Sequence, residues 1–222
     1  MIDLSKKLNL IRGDCLEVLR ELPDKSVDLV LTDPPYGKQW SRGENGIGLL
    51  KKLNTKYEDV KWDSEIPSKE YFDEMLRVGK NVIVFGGNYF TDYLPASNCW
   101  LVWDKLGNFP KSKDSPFAHC ELVWTNFNKT VKKYTWRVQG FIKDSKDKRF
   151  HPTQKPTELI EEILTDFSVV GDLVLDCFMG SGTTGVASLK LGRRFIGIEL
   201  DEKYFGIAKE RCSEWENQSR LF

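Results

Sequence analysis

A doubly wound α/β fold with a mostly parallel sheet is the class this sequence predicts, and three observations predict it. Short apolar runs recur along the chain, among them VDLVLT (27–32), NVIVFGG (81–87) and RRFIGIELD (193–201), the last ending in acids; parallel strands covered on both faces need such runs. Stretches with helical apolar spacing alternate with them, as in βαβ units. The length, 222 residues, suits one well-filled domain and is too short for two of ordinary size plus a linker.

The elements follow in order. LNLIRGD (8–14) reads as a strand ending on Gly13-Asp14, and CLEVLREL after it puts apolar residues at 16, 18, 19 and 22 on one helical face. VDLVLT is the next strand. Residues 37–70 lose all period, gather Gly, Lys, Arg and Trp, and run well past ordinary loop length. YFDEMLRVG reads as a helix, and NVIVFGG, CWLVWDK (99–105) and ELVWTNF (121–127) as strands. Polar, basic segments cover 105–118 and 128–150. From Thr157 to Phe167 a helix carries Leu159, Ile160, Ile163, Leu164 and Phe167 on one face. Residues 172–178 form a strand that runs into Met179-Gly-Ser-Gly-Thr-Thr, then come a helix over GVASLKLG, the strand RRFIGIELD and a last helix from Glu202 to about Trp215. The reading is a single domain over 1–222, with 37–70 and 128–150 as insertions.

Composition excludes several classes. Lys plus Arg and Asp plus Glu number 33 each, so a polyanionic partner has to be held by local basic clusters rather than by net charge. The five cysteines are scattered, with no C-x-x-C pair and no His at zinc-ligand spacing; they read as reduced thiols of a cytoplasmic protein in a bacterial or phage-infected cell. No window is apolar for long enough to span a bilayer, so no membrane partner is expected.

Two stretches point to chemistry. The strand at 27–32 stops on Asp33-Pro34-Pro35-Tyr36. Two prolines end a strand in any case, because neither can extend a ladder. The same tetrapeptide also offers a carboxylate, a rigidly held carbonyl and an aromatic face. Further on, Phe178-Met-Gly180-Ser-Gly182 joins a strand to a helix, and glycines there let the backbone approach a ligand. Glu199, at the end of the following strand, stands where a carboxylate can accept the hydroxyls of a ribose; a tight turn with an ordinary acidic cap is the alternative. The loop lacks G-x-G-x-x-G spacing for a pyrophosphate, and no Gly-Lys-Ser/Thr makes it a P-loop.

Taken with Gly13-Asp14-Cys15, Phe85-Gly-Gly-Asn-Tyr89, His151-Pro-Thr-Gln-Lys-Pro156 and Ile198-Glu199, these stretches resemble the S-adenosylmethionine-dependent amino-methyltransferases of DNA over nearly the whole chain. The tetrapeptide precedes the glycine loop, as in the permuted β class of that family, and the compact FGGNYF and HPTQKP signatures look similar to phage-borne enzymes. The chain departs from the family at Cys177, where proline is common; with no cationic neighbour in sequence, Cys177 reads as packing.

The resemblance implies a Rossmann-like methyltransferase fold with permuted motif order, and methyl transfer to an exocyclic amine, with adenine N6 ahead of cytosine N4 because Asp opens the tetrapeptide. Structured RNA as substrate, or an inactive DNA-binding module, are the alternatives. Asp33 and the Pro34 carbonyl would each accept an N–H of the amine, Pro35 would hold that carbonyl, and Tyr36 would stack on the base. For S-adenosylmethionine the resemblance assigns Asp176, Phe178, Gly180 and Gly182 to the methionine end, Glu199 to the ribose, Asp14 and Cys15 to the adenine edge, and Thr153 and Lys155 to the carboxylate. No metal is implied. The expected partner is double-stranded DNA with a flipped target base, and the small recognition surface leaves room for a homodimer. Lys38, Arg42, Lys51, Lys52 and Lys56, with Trp40 and Trp62, are candidate DNA contacts in the first insertion. In the second they are the basic residues from Lys129 to Arg149, interleaved with Tyr134, Trp136 and Phe141.

Overall fold

The structure, a computed structural model, describes residues 2–37, 66–107, 118–139, 142–143, 150 and 154–218. In chain order it contains β1 (Leu8–Arg12), α1 (Cys15–Glu21), β2 (Val27–Thr32), α2 (Lys69–Val78), β3 (Gly79–Phe85) and a single 3₁₀ turn (Gly87–Tyr89). Then come β4 (Trp100–Asp104), β5 (Cys120–Thr125), β6 (Lys132–Thr135), β7 (Val138–Gln139), β8 (Ile142–Lys143) and α3 (Thr157–Phe167). β9 (Leu173–Asp176), α4 (Thr183–Lys190), β10 (Arg194–Glu199) and α5 (Glu202–Gln218) complete the chain.

Eight strands form one sheet in the order β1-β10-β9-β2-β3-β5-β4-β6, and β7 pairs only with β8. From β1 to β3 every neighbouring pair is parallel. β5 runs antiparallel to both β3 and β4, a reversal that the apolar pattern alone does not encode.

Alternation along β2 explains why the middle of its sequence, Leu29-Val30-Leu31, is apolar on consecutive residues. Leu29 and Leu31 face a core layer shared with Leu159, Ile163 and Phe167 of α3 and Ala187 of α4. Val30 faces the opposite layer, with Leu19 of α1 and Phe72, Met75 and Val78 of α2. Each fully buried aliphatic or aromatic side chain contributes about 1.5–3 kcal/mol relative to exposure, so both sheet faces are strongly held. This is the doubly wound arrangement expected.

The basic segment 128–150 is not wholly irregular. β6 adds to the sheet edge beside β4, and Tyr134, in its middle, is only 6% exposed and donates to Asp166 Oδ2 at 2.6 Å. Tyr134 is therefore a core residue, which corrects the expectation of a surface stacker. Lys132 pairs with Asp166 and Lys133 with Asp104. Lysines on a short edge strand also discourage pairing with another chain. Among the described residues no helix is long and apolar enough to cross a membrane.

The topology decides where the motifs meet. β9 and β10, late in sequence, lie between β1 and β2. The carboxyl ends of β1, β10, β9, β2 and β3 therefore line one edge, bringing together Gly13-Asp14, Glu199, Asp176-Cys177, Asp33 and Gly86. Open α/β sheets bind ligands at this edge.

Candidate active site and cofactor cleft

Asp33 follows directly on β2, and both its carboxylate oxygens are engaged. Oδ1 accepts the Tyr36 hydroxyl at 2.5 Å, and Oδ2 accepts the Lys155 ammonium at 2.5 Å. Burial, reinforced by the Asp33 and Glu121 carboxylates, pushes the Tyr36 hydroxyl well above its ordinary pKa, so it remains a donor. The Tyr36 ring lies on Gly86, whose φ is +66°; a Cβ there would come within 2.3 Å of the ring. Tyr89 flanks it with ring centroids 4.9 Å apart. Phe85-Gly-Gly-Asn-Tyr89, read in the sequence only as a motif of the resemblance, thus has a mechanical role: it seats Tyr36.

Lys155 comes from the segment that leads into α3, and its side chain is 9% exposed. The ammonium sits 5.2 Å from the centre of the Phe85 ring. Burial disfavours its charge, but Asp33 and Glu121 outweigh burial and hold its pKa above the usual lysine value. The structure directs Lys155 to Asp33 and Glu121, a different setting from the cofactor carboxylate that the resemblance implied.

Glu121 carries no motif and was not singled out from the sequence. Because β5 runs antiparallel, its first residues reach the same edge as the end of β3. Glu121 Oε1 accepts from Lys105, and Oε2 lies 3.6 Å from Lys155 Nζ. Burial works to raise the Glu121 pKa, and the two lysines overcome it and hold the carboxylate below its ordinary range. Lys105, Glu121, Lys155 and Asp33 therefore form a row of alternating charge.

On the cofactor side, Thr32 Oγ1 donates to Asp176 Oδ1 at 2.8 Å and the Phe178 N–H donates to the same oxygen at 3.1 Å. Asp176 is 3% exposed, and burial pushes its carboxyl up to about 6 against the donors around it. Its visible work is to fold the loop after β9 and tie that loop to β2. Gly180 has φ +51°, with no atom of the described residues within 4 Å of where a Cβ would stand, and its N–H donates to Glu199 Oε2 at 2.8 Å. Glu199 Oε1 accepts from the Asp201 N–H at 2.8 Å, so backbone donors fix both oxygens of the carboxylate. Gly182, at φ +80°, begins α4 where a Cβ would meet Ala208 at 2.9 Å; its glycine serves helix packing.

Across the cleft, Asp14 caps α1 by accepting from the Leu16 N–H at 2.8 Å, and the Tyr71 hydroxyl donates to it at 3.0 Å. Tyr71 lies beside Phe178, ring centroids 6.2 Å apart. Cys15 and Cys177 are both buried, and burial, with Cys15 adjoining, pushes the Cys177 thiol well up. That environment suits the packing role expected of Cys177. Gln154 accepts from the Phe150 N–H and from Ser181 Oγ, so this motif segment is tied to the glycine loop by a residue not flagged in the sequence. Thr153 and His151 lie outside the described residues, as do Lys38, Arg42, Lys51, Lys52, Lys56, Trp40 and Trp62.

The donor set fits S-adenosylmethionine. Gly180 leaves open space where a side chain would intrude, Glu199 supplies a fixed carboxylate for hydroxyls, and the aromatic pair Tyr71 and Phe178 offers a flat wall. The glycine loop and Glu199 stand at the same sheet edge as Asp33-Pro34-Pro35-Tyr36, and Thr32 hydrogen-bonds to Asp176 between the two paired strand ends.

Comparison with known proteins gives the family. Residues 98–210 match the DNA methylase family N6_N4_Mtase. The chain is 30% identical to the Type II methyltransferase M.HinfI of Haemophilus influenzae, over 92% of this chain and 68% of that protein. Among solved structures, the M1.HpyAVI–SAM complex superposes with a TM-score of 0.56 at 23% identity, covering 92% of this chain and 98% of that one. The PvuII DNA methyltransferase, described as cytosine-N4-specific, gives 0.63 at 17% identity, covering 96% and 92%. The chain belongs to the DNA methylase family and is an S-adenosylmethionine-dependent DNA methyltransferase.

Proposed function

We propose that this enzyme methylates the N6 amino group of adenine in double-stranded DNA, acting on a base turned out of the helix. The observation that carries this reading is the Asp33 carboxylate at the end of β2, oriented by Tyr36 and Lys155 and linked through Thr32 to the glycine loop. The exocyclic nitrogen is conjugated with its ring and poorly basic. Asp33 and the Pro34 carbonyl accept its two N–H groups and draw the nitrogen toward tetrahedral geometry, localising its lone pair. Pro35 fixes that carbonyl at little entropic cost. S-adenosylmethionine supplies an electrophilic methyl group on a sulfonium sulfur. Glu199, Gly180 and Phe178 are the residues that would hold the cofactor, with Asp14, Cys15 and Tyr71 toward its adenine.

An aspartate opening the tetrapeptide supports adenine over cytosine. A single domain with 37–70 and 128–150 as DNA-contacting insertions belongs to the same reading: β2 runs directly into the first, and β6, β7 and β8 form part of the second. The test is incubation with radiolabelled S-adenosylmethionine and unmethylated duplex DNA, followed by digestion to nucleosides. Label in N6-methyladenine, lost in Asp33→Ala with cofactor affinity kept, is the expected result. Label in N4-methylcytosine, or full turnover by Asp33→Ala, overturns the base assignment or the acceptor mechanism respectively.

A further inference from the structure

We propose that Glu121 is a positioning residue for methyl transfer: it takes over the Lys155 ammonium when the target amine takes Asp33 Oδ2. The inference rests on the reading of Asp33 as the amine acceptor and adds a residue that no motif marks.

Three observations lead to it. Asp33 Oδ2 is already bonded by Lys155 at 2.5 Å, and an oxygen held by an ammonium is a weakened acceptor for a second donor. A second acceptor lies close to Lys155, Glu121 Oε2 at 3.6 Å, just beyond hydrogen-bond reach. That oxygen is buried and has no hydrogen-bond partner among the described residues, an arrangement that costs stability unless it is filled at some stage. Glu121 cannot drift away, because Oε1 is anchored by Lys105.

The chemistry gives the exchange a purpose. As the methyl group transfers, the target nitrogen acquires positive charge, and an ammonium bonded to the same Asp33 oxygen opposes that charge. Movement of Lys155 Nζ onto Glu121 Oε2 relieves the repulsion, restores the acceptor strength of Asp33 and satisfies the orphan oxygen. Lys155 keeps its proton throughout, so no covalent bond changes and only hydrogen-bond partners are exchanged. Before the base enters, the same ammonium keeps the Asp33 carboxylate ionised and in place.

The test uses the full chain, S-adenosylmethionine and unmethylated duplex DNA. Glu121→Gln keeps the shape and removes the charge, and should lower kcat about 10- to 100-fold, the size of one charge-assisted hydrogen bond. Cofactor affinity should stay within about twofold, since no contact to the cofactor cleft is removed. The deciding comparison is the double variant. Once Lys155→Met has removed the ammonium, adding Glu121→Gln should cost nothing further, because Glu121 then has nothing to receive. Glu121→Asp, which keeps the charge but withdraws it, should cost several-fold with Lys155 present and nothing with Lys155→Met, and it serves if the glutamine variant does not fold. Wild-type kcat in both Glu121 variants, or losses that simply add to that of Lys155→Met, overturn the proposal. Asp33→Asn in the same assay separates the two readings. If it turns over normally, the acceptor mechanism itself fails; if it is inactive while Glu121→Gln is fully active, only the role of Glu121 falls.

Discussion

Thr32 donates a 2.8 Å hydrogen bond to Asp176, joining the last residue of the strand that leads into Asp33-Pro34-Pro35-Tyr36 to the last residue of the strand that leads into the glycine loop. The two are 144 positions apart in sequence and neighbours at the sheet edge. Thr32→Val keeps the shape and removes the donor, leaving a buried carboxyl short of one partner. The expected loss is about 1–3 kcal/mol of stability, measured by urea denaturation, with weaker cofactor binding and slower transfer together. A variant as stable as wild type would show that the bond is incidental.

Asp176 itself has a pH signature. Its folded-state pKa of about 6 lies above its ordinary value of 3.8, so the folded protein holds this proton more tightly than the unfolded chain does. The contribution to stability is present below 3.8 and is lost as pH rises to about 6. Asp176→Asn removes that dependence. The difference in unfolding midpoint between wild type and variant should change across this window and stay flat above it.

Gly86→Ala places a methyl group 2.3 Å from the Tyr36 ring at a φ of +66°. Either the ring moves or the backbone does, and a left-handed non-glycine residue alone costs about 1–2 kcal/mol. Turnover should fall by roughly tenfold or more while cofactor affinity, measured by calorimetry, holds. Equal loss of both would place Gly86 in general folding rather than in seating Tyr36.

Glu199→Gln sets an amide N–H against the backbone N–H of Gly180 or Asp201, both of which now donate to the carboxylate. Cofactor affinity should drop about 10- to 100-fold, since a bond to a charged group is worth about 1.5–3 kcal/mol. Unchanged affinity would remove Glu199 from the ribose.

The sequence made the alternating core legible because the middles of β2, β3, β9 and β10 are buried on both sides and therefore apolar on consecutive residues. The strand ends were legible for the same reason: chemistry-bearing residues interrupt those runs at Asp33, Asp176 and Glu199. Three things were not. The direction of β5 depends on pairing with β3 and β4 rather than on its own pattern, and that direction puts Glu121 at the site. The partner of Lys155 was hidden too, because a lysine in HPTQKP has several acids within reach and only the fold selects Asp33 and Glu121. β6 escaped notice because KKYT is short and mostly polar, with Tyr134 its one buried residue.

The placement of β9 and β10 between β1 and β2 also governs how the molecule comes into being. β1 and β2 emerge early during synthesis, yet they have no direct pairing and must wait on opposite flanks of a gap until residue 199 has been made. Contacts of such long sequence separation form slowly, and strand edges left open in the interval invite pairing with other chains. Protease digestion of chains stalled before residue 173 should find β1 accessible, and protection would mean that it docks without its neighbour. Because closing the gap also builds the cofactor cleft, a nascent chain has no means of marking DNA before its sheet is closed.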